Sequence, residues 1–66
     1  MSNVWRPLER NTYQSWIDSI LNEASDELSN WESGFIASIQ MRLDHGAILN
    51  ENQAAKLEQI YTKLTK

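Results

Sequence analysis

A helix-start signal occurs twice in this 66-residue chain, and the two copies decide where helices begin. Each places a leucine before a capping residue and a Glu or Gln three positions after the cap: Leu28-Ser29-Asn30-Trp31-Glu32 and Leu49-Asn50-Glu51-Asn52-Gln53. In such a capping box the cap side chain accepts a hydrogen bond from a first-turn N–H, while the Glu or Gln accepts one from the cap's own N–H. The two signals predict two helices joined by a short turn containing Gly46, a good residue for ending a helix.

Apolar periodicity predicts three helices and no strand. The helices are expected at about 12–24, 30–45 and 50–65. The apolar faces predicted to pack together consist of Tyr13, Trp16, Ile17, Ile20, Leu21, Ala24, Trp31, Phe35, Ile36, Ile39, Leu43, Ala54, Leu57, Ile60, Tyr61 and Leu64. The sequence therefore predicts a small all-α, three-helix domain over residues 12–66. Residues 1–11 have no clean helical period and are expected to form an N-terminal arm.

Composition limits how such a domain is stabilised. The chain has no cysteine and one histidine, so neither a disulfide nor a structural zinc site is expected. A domain of this size buries only a little over half of the surface of its unfolded chain. Because the core is small, homodimerisation is expected. The chain shows no basic-then-apolar leader and no long apolar run, and the expectation is a soluble cytoplasmic protein without a membrane segment.

The residues suited to catalysis are few and poorly placed. His45 is the only histidine, and no serine stands in the context of an activated nucleophile. Asp44 and His45 are adjacent, so their side chains diverge on a helix and make a poor metal site. No glycine-rich phosphate loop is present. We therefore expect a non-enzymatic protein with no cofactor and no metal, in which His45 is an exposed residue at a helix C-terminus.

Charge weighs against nucleic-acid binding without removing it as the alternative. The net charge is −3, and between Asn11 and Met41 there are five acidic residues and no Lys or Arg. Such a surface repels phosphate backbones. The two later helices resemble a helix-turn-helix arrangement, although the acidic residues of the last helix offset its lysines. The residues of this alternative are Arg42, Lys56, Lys63 and Lys66.

Protein binding is the function with the fewest obstacles. Trp is the residue most enriched at interaction hot spots, and the chain has three. Two of them fit core stripes, whereas Trp5 lies in the arm. The partner-binding hypothesis uses two groups of residues: Trp5, Arg6 and Leu8 of the arm, and a stripe of Gly34, Ala37 and Met41 opposite the apolar face of the second helix. Gly34 in that stripe suggests close approach by another backbone. On the helical wheel Arg42 lies between Trp31 and Phe35, which predicts a guanidinium stacked on the indole.

Residues 31–63 resemble a short helical pattern of phage-encoded and bacterial mobile-element proteins, often found as a tail on proteins of DNA replication or recombination. The matching residues are Trp31, Glu32, Phe35, Ile36, Ile39, Arg42, Leu43, Gly46, Leu49, Gln53, Leu57, Glu58, Ile60 and Tyr61. The resemblance covers about half of the chain and implies an accessory role near DNA-processing machinery. The expected function is therefore a phage-encoded accessory or inhibitor protein that binds a host or phage protein of DNA metabolism.

Overall fold

The computed structural model describes residues 4–65 and confirms the all-α, three-helix fold. Helix α1 spans Arg10–Ala24, α2 spans Asn30–Asp44 and α3 spans Glu51–Leu64. A single 3-10 turn, Ser25–Glu27, connects α1 to α2. Residues 4–9 precede the first helix and form the arm. None of the helices within residues 4–65 has both the length and the apolar character that crossing a membrane requires.

Both predicted capping boxes are present. Ser29 Oγ accepts from the Glu32 N–H at 3.1 Å, and the Glu32 carboxylate accepts from the Ser29 N–H at 2.9 Å. Asn50 and Gln53 repeat this exchange at 2.8 and 3.0 Å. Gly46, with φ +77°, has the left-handed conformation that ends α2. Local signals therefore set the start of α2, the end of α2 and the start of α3.

The start of α1 lies earlier than predicted. The helix begins at Arg10, and its N-cap residue, Glu9, makes no side-chain capping bond. The backbone carbonyl of Glu9 instead accepts from the N–H of Thr12 at 3.0 Å. Because a capping side chain is absent there, the sequence carries no local signal for this boundary.

The three helices run up, down and up. Gln14, near the start of α1, and Gln40, near the end of α2, exchange two side-chain hydrogen bonds of 2.7 Å. Glu32, near the start of α2, forms a salt bridge with Lys63, near the end of α3. Each contact joins the first turns of one helix to the last turns of the next, so neighbours in sequence are antiparallel.

One face of each helix and one residue of the α2–α3 connection form the core. Leu49, which precedes the second capping box, is fully buried and packs with the helices. The buried apolar residues are Tyr13, Ile17, Ile20, Ala24, Ile36, Ile39, Leu43, Leu49, Ala54, Leu57 and Ile60. Trp16, Phe35, Tyr61 and Leu64 are partly buried against this core, as their positions predict.

Two residues of the predicted apolar faces are exposed. Leu21 is at the edge of the α1 stripe and faces solvent. Trp31, in the first turn of α2, is 58% exposed and lies flat against Phe35, with ring centroids 5.3 Å apart. The prediction that these two side chains are buried is wrong, because a residue at the edge of a helical face is covered only when a neighbouring helix reaches it.

The predicted stack of Arg42 on Trp31 is also wrong. The cation over the indole is Lys56 of α3, whose Nζ lies 5.6 Å from the ring centroid. Arg42 and Trp31 are separated by three helical turns, which is about 16 Å along the axis. The wheel projection places the two residues side by side because it ignores this rise.

Candidate protein-interaction surface

The arm is attached to the bundle by a specific hydrogen bond. The backbone N–H of Leu8 donates to the hydroxyl of Tyr13 at 2.9 Å, and the Tyr13 side chain is buried. This bond satisfies the polar end of a buried aromatic residue, as buried Tyr requires. It also fixes the arm over the start of α1, with a cleft on each side.

An apolar cavity, which we call the end cavity, lies on one side of the arm. It has a volume of about 190 Å³ and lies between Pro7 and Leu8 of the arm and the connection 46–49. Ile48 at its edge is 74% exposed, and Leu8 is 50% exposed. Large apolar side chains at the rim of an apolar cavity are typical of a protein-binding surface.

A larger opening, the arm cleft, lies on the other side. Its volume is about 430 Å³, and it separates the arm from α1 and α3. Trp5, which is 38% exposed, and Arg6 line it on the arm side. Its remaining lining residues are Leu8, Tyr13, Trp16, Glu51, Ala54, Ala55 and Glu58. Tyr13 and Leu8 line both openings, so the arm forms a ridge between them.

Neighbouring rings hold the aromatic wall of the arm cleft in place. Trp16 stacks on Tyr61 at a centroid distance of 5.2 Å and an interplanar angle of 17°. It also meets Tyr13 edge-on at 5.5 Å and 75°. Paired aromatic rings in these geometries gain about 0.5–1.5 kcal/mol beyond area burial. The wall is therefore formed before anything binds.

The structure brings together one of the two groups of residues predicted to bind a partner. Trp5, Arg6 and Leu8 all line the arm cleft. Gly34, Ala37 and Met41 are exposed on α2 and line neither opening beside the arm. A Cβ atom added to Gly34 meets nothing within 4 Å, so the close backbone approach expected there is not made within the described part of the chain.

Several residues of this surface were not predicted. Ile48 lies in an irregular connection without periodicity, so nothing in the sequence distinguishes it from an ordinary loop residue. From the sequence alone, Glu51 and Glu58 are only charges that offset the lysines of α3. Their spacing of seven residues places them on one helical face, and this spacing alone predicts a local pair of negative charges. The sequence does not show that this face looks onto the arm.

The residues of the nucleic-acid alternative are only partly grouped. Lys56 and Lys63 line a shallow pocket of about 190 Å³ together with Trp31. Arg42 does not line it, and Lys66 lies outside the described residues. The salt bridge between Lys63 and Glu32 occupies one of the two cations.

Glu32 is the ionisable group most clearly affected by its surroundings. The hydrogen bond from the Lys63 ammonium, followed by that from the Ser29 N–H, lowers the pKa of the Glu32 carboxyl. Both interactions favour the ionised form. The carboxylate therefore combines a helix-capping role with a connection between α2 and α3.

The lowered pKa predicts a pH-dependent loss of stability in acid. Because Glu32 binds its proton more weakly in the folded chain than in the unfolded chain, its contribution is complete above the unfolded pKa and disappears as pH falls through the folded pKa. Glu32→Gln retains an oxygen for the Ser29 N–H but removes the charge. We expect Glu32→Gln to have a lower melting temperature than wild type at about pH 7, and the difference to shrink as pH is lowered through the acid range in which the Glu32 carboxyl becomes protonated. Circular dichroism melts across this range measure the difference.

The matched control for the acid experiment is Glu23→Gln, which removes an exposed carboxylate of α1 that takes no part in the Lys63 salt bridge. A constant difference between wild type and Glu32→Gln at every pH would contradict the prediction. Such a result would mean that the substitution acts through packing or capping alone.

The histidine lines neither opening beside the arm. His45 is the exposed C-cap residue of α2, and its Nδ1 lies 2.9 Å from the carbonyl oxygen of Met41. Across residues 4–65, no three His, Asp or Glu side chains come together in a group able to hold a metal ion.

Comparisons with protein-family models, curated proteins and solved structures find no match to this chain.

Proposed function

We propose that this protein is a small non-enzymatic protein–protein interaction module that binds its partner through the surface around the arm. The carrying observation is the arrangement of exposed apolar side chains at an apolar cavity and a larger cleft, with Leu8 between them. A partner that covers Trp5, Leu8 and Ile48 removes exposed apolar area from water, which favours association by about 25 cal/mol per Å².

The shape of this surface supports binding by insertion. Interface hot spots are large aromatic and apolar side chains that fit into pockets of the partner and are surrounded by polar residues. Here Leu8 and the partly exposed Trp5 offer apolar surface to the partner, while the end cavity and the arm cleft can receive side chains from it. Because the Leu8 N–H to Tyr13 bond already orders the arm, less conformational entropy is lost on binding.

The resemblance of residues 31–63 to mobile-element proteins directs the search for the partner. We propose a phage-encoded accessory or inhibitor role, acting in the cytoplasm on a host or phage protein of DNA metabolism. Homodimerisation is part of the same proposal, with the exposed Gly34, Ala37 and Met41 face of α2 as its surface.

Two tryptophan substitutions test the proposal. Trp5→Ala is expected to weaken binding of an isolated partner protein by about tenfold or more, as truncating an interface aromatic residue does. Trp31→Ala is the matched control, because Trp31 is also exposed but lines neither opening beside the arm. The measurement is the dissociation constant for a partner first captured from host cytoplasm and then purified. Equal affinities of Trp5→Ala and wild type would contradict the proposal.

One observation favours the nucleic-acid alternative. An exposed Trp31 beside Lys56 and Lys63 has the combination of stacking surface and cations that single strands use. The Glu32 salt bridge and the net charge of −3 oppose it. The same two variants separate the functions, because salt-dependent binding of labelled single-stranded DNA would be lost in Trp31→Ala and retained in Trp5→Ala.

A further inference from the structure

We propose that the arm cleft binds a basic helical segment of the protein partner, whose Arg or Lys side chains enter between the aromatic wall and the glutamates of α3. This inference rests on the proposed interaction function and specifies the chemistry of the partner. It requires that the bound segment of the partner carry positive charge, which the apolar contacts of the arm alone do not require.

The α3 side of the cleft is a shallow trough with a carboxylate at each end. Glu51, Ala54, Ala55 and Glu58 have the spacing of a single helical face, and all four line the cleft. The two alanines are small, so the middle of the trough is recessed. Glu51 and Glu58 are two turns apart, about 10.5 Å along the axis.

Three aromatic rings, those of Trp5, Tyr13 and Trp16, line the rest of the cleft together with Arg6 and Leu8. Trp16 is held by Tyr13 and Tyr61, and Trp5 projects from the arm. Indole is the best side chain for attracting a cation over its face. Arg and Lys side chains also cover apolar surface with their aliphatic stems, for which Ala54 and Ala55 provide the floor. The cleft therefore offers a guanidinium or ammonium group both a ring and a carboxylate.

The carboxylates of the trough are available to a partner. Within residues 4–65 the one salt bridge joins Lys63 to Glu32, so neither Glu51 nor Glu58 is paired. Arg6 is the single cation that lines the cleft, against two carboxylates. The local charge is thus negative, which favours a cationic occupant and disfavours an acidic or phosphate-bearing one.

The spacing of the two carboxylates selects the form of the basic segment. In a partner helix, residues seven positions apart lie on one face with the same separation of about 10.5 Å. A helix with Arg or Lys at these two positions therefore presents one cation to each glutamate. Basic residues five positions apart point to different sides of a helix and reach only one of them.

A titration with three peptides tests the proposal. The probe is an alanine- and glutamine-rich helical peptide with two arginines seven positions apart. One control peptide has glutamine in place of both arginines, and the other has the arginines five positions apart. We expect the first to bind about tenfold more tightly than either control at low salt. In amide and indole NMR spectra, the shifts should be concentrated at Trp5, Trp16 and residues 51–58.

Substitutions in the protein test the role of the cleft carboxylates in binding the probe peptide. The double variant Glu51→Gln with Glu58→Gln is expected to lose about tenfold in affinity for the probe. The double variant Glu23→Gln with Glu27→Gln removes the same charge outside the cleft and should retain wild-type affinity. Arg6→Gln removes the like charge in the cleft and is expected to tighten binding about twofold. Circular dichroism confirms that each variant is folded.

Several results would overturn the proposal: no binding of the probe, equal binding of the three peptides, equal affinity of the two glutamate double variants, or shifts outside the cleft. The outcome is separable from that of the proposed function. If the probe peptide does not bind while Trp5→Ala still lowers the affinity for the purified partner, the interaction function stands and the proposed cationic occupant is wrong. If the probe binds as expected while Trp5→Ala leaves the partner unaffected, the cleft chemistry stands and the arm is not the partner's contact.

Discussion

Ile17→Ala is expected to leave a large fraction of the protein unfolded at room temperature, whereas Leu21→Ala, one turn further along α1, leaves it folded. Ile17 has no exposed surface, and Leu21 is 45% exposed. Truncating a fully buried isoleucine to alanine costs about 2–5 kcal/mol, because apolar contacts are lost and a cavity remains. A core in a chain of this length rarely supplies more than about 3–5 kcal/mol. Urea unfolding followed by circular dichroism measures both variants.

The comparison within one helix separates packing from helix propensity. Alanine is the best helix former, so neither substitution weakens α1 through its backbone. We expect Leu21→Ala to change the free energy of unfolding by less than about 1 kcal/mol. If Ile17→Ala also changes it by less than this, the bundle is not held by the core described above. In that case, repeating the measurement at two protein concentrations shows whether association between copies stabilises the folded chain. Only a contribution from association changes with protein concentration.

Local signals in the sequence are sufficient for much of the helical architecture. Ser29 and Asn50 have side chains that cap the following helix, and Gly46 has the backbone freedom that ends one. These effects act within one turn, so the sequence reveals them without the fold. The start of α1 lacks such a signal because Glu9 caps through its backbone alone.

Exposure at the edges of helices is harder to predict because it depends on distances between helices. The periodicity of α2 places Trp31 with the apolar residues, but the residue lies in the first turn and stays 58% exposed, with its ring beside Phe35 and Lys56. The helical wheel gives the direction of a side chain and omits its height along the axis. Both Trp31 errors have this cause.

The candidate surface was predictable by residue type and not by shape. Trp5 and Leu8 are apolar residues in a segment without helical period, which indicates a contact role. The opposing walls of the arm cleft depend on how α3 packs beside α1 and where the Leu8 N–H to Tyr13 bond holds the arm. Those contacts join residues far apart in sequence, so no local pattern encodes the pairing of Trp5 with Glu51 and Glu58 across one cleft.

The same substitution at the two glycines is expected to have opposite effects on stability. Gly46→Ala should destabilise the protein by about 1–2 kcal/mol, because φ +77° places a Cβ in the unfavourable left-handed region. Gly34→Ala should stabilise it by about 0.5–1 kcal/mol, because alanine in a helix interior restricts the unfolded chain and improves helix propensity. A Cβ at either position meets nothing within 4 Å, so backbone conformation is the difference between the two variants. Urea unfolding at low protein concentration measures both.

The Gly34 result also bears on the α2 face of Gly34, Ala37 and Met41. In an isolated chain the added methyl group points into open space, and only the stabilising effect remains. If a second copy packs its backbone against this face, the methyl group would hold the two helices apart. Gly34→Ala would then lower stability at high concentration while raising it at low concentration, since only the dimer contains the close contact. Analytical ultracentrifugation of the variant beside wild type distinguishes the cases, and unchanged association would exclude close backbone packing at Gly34.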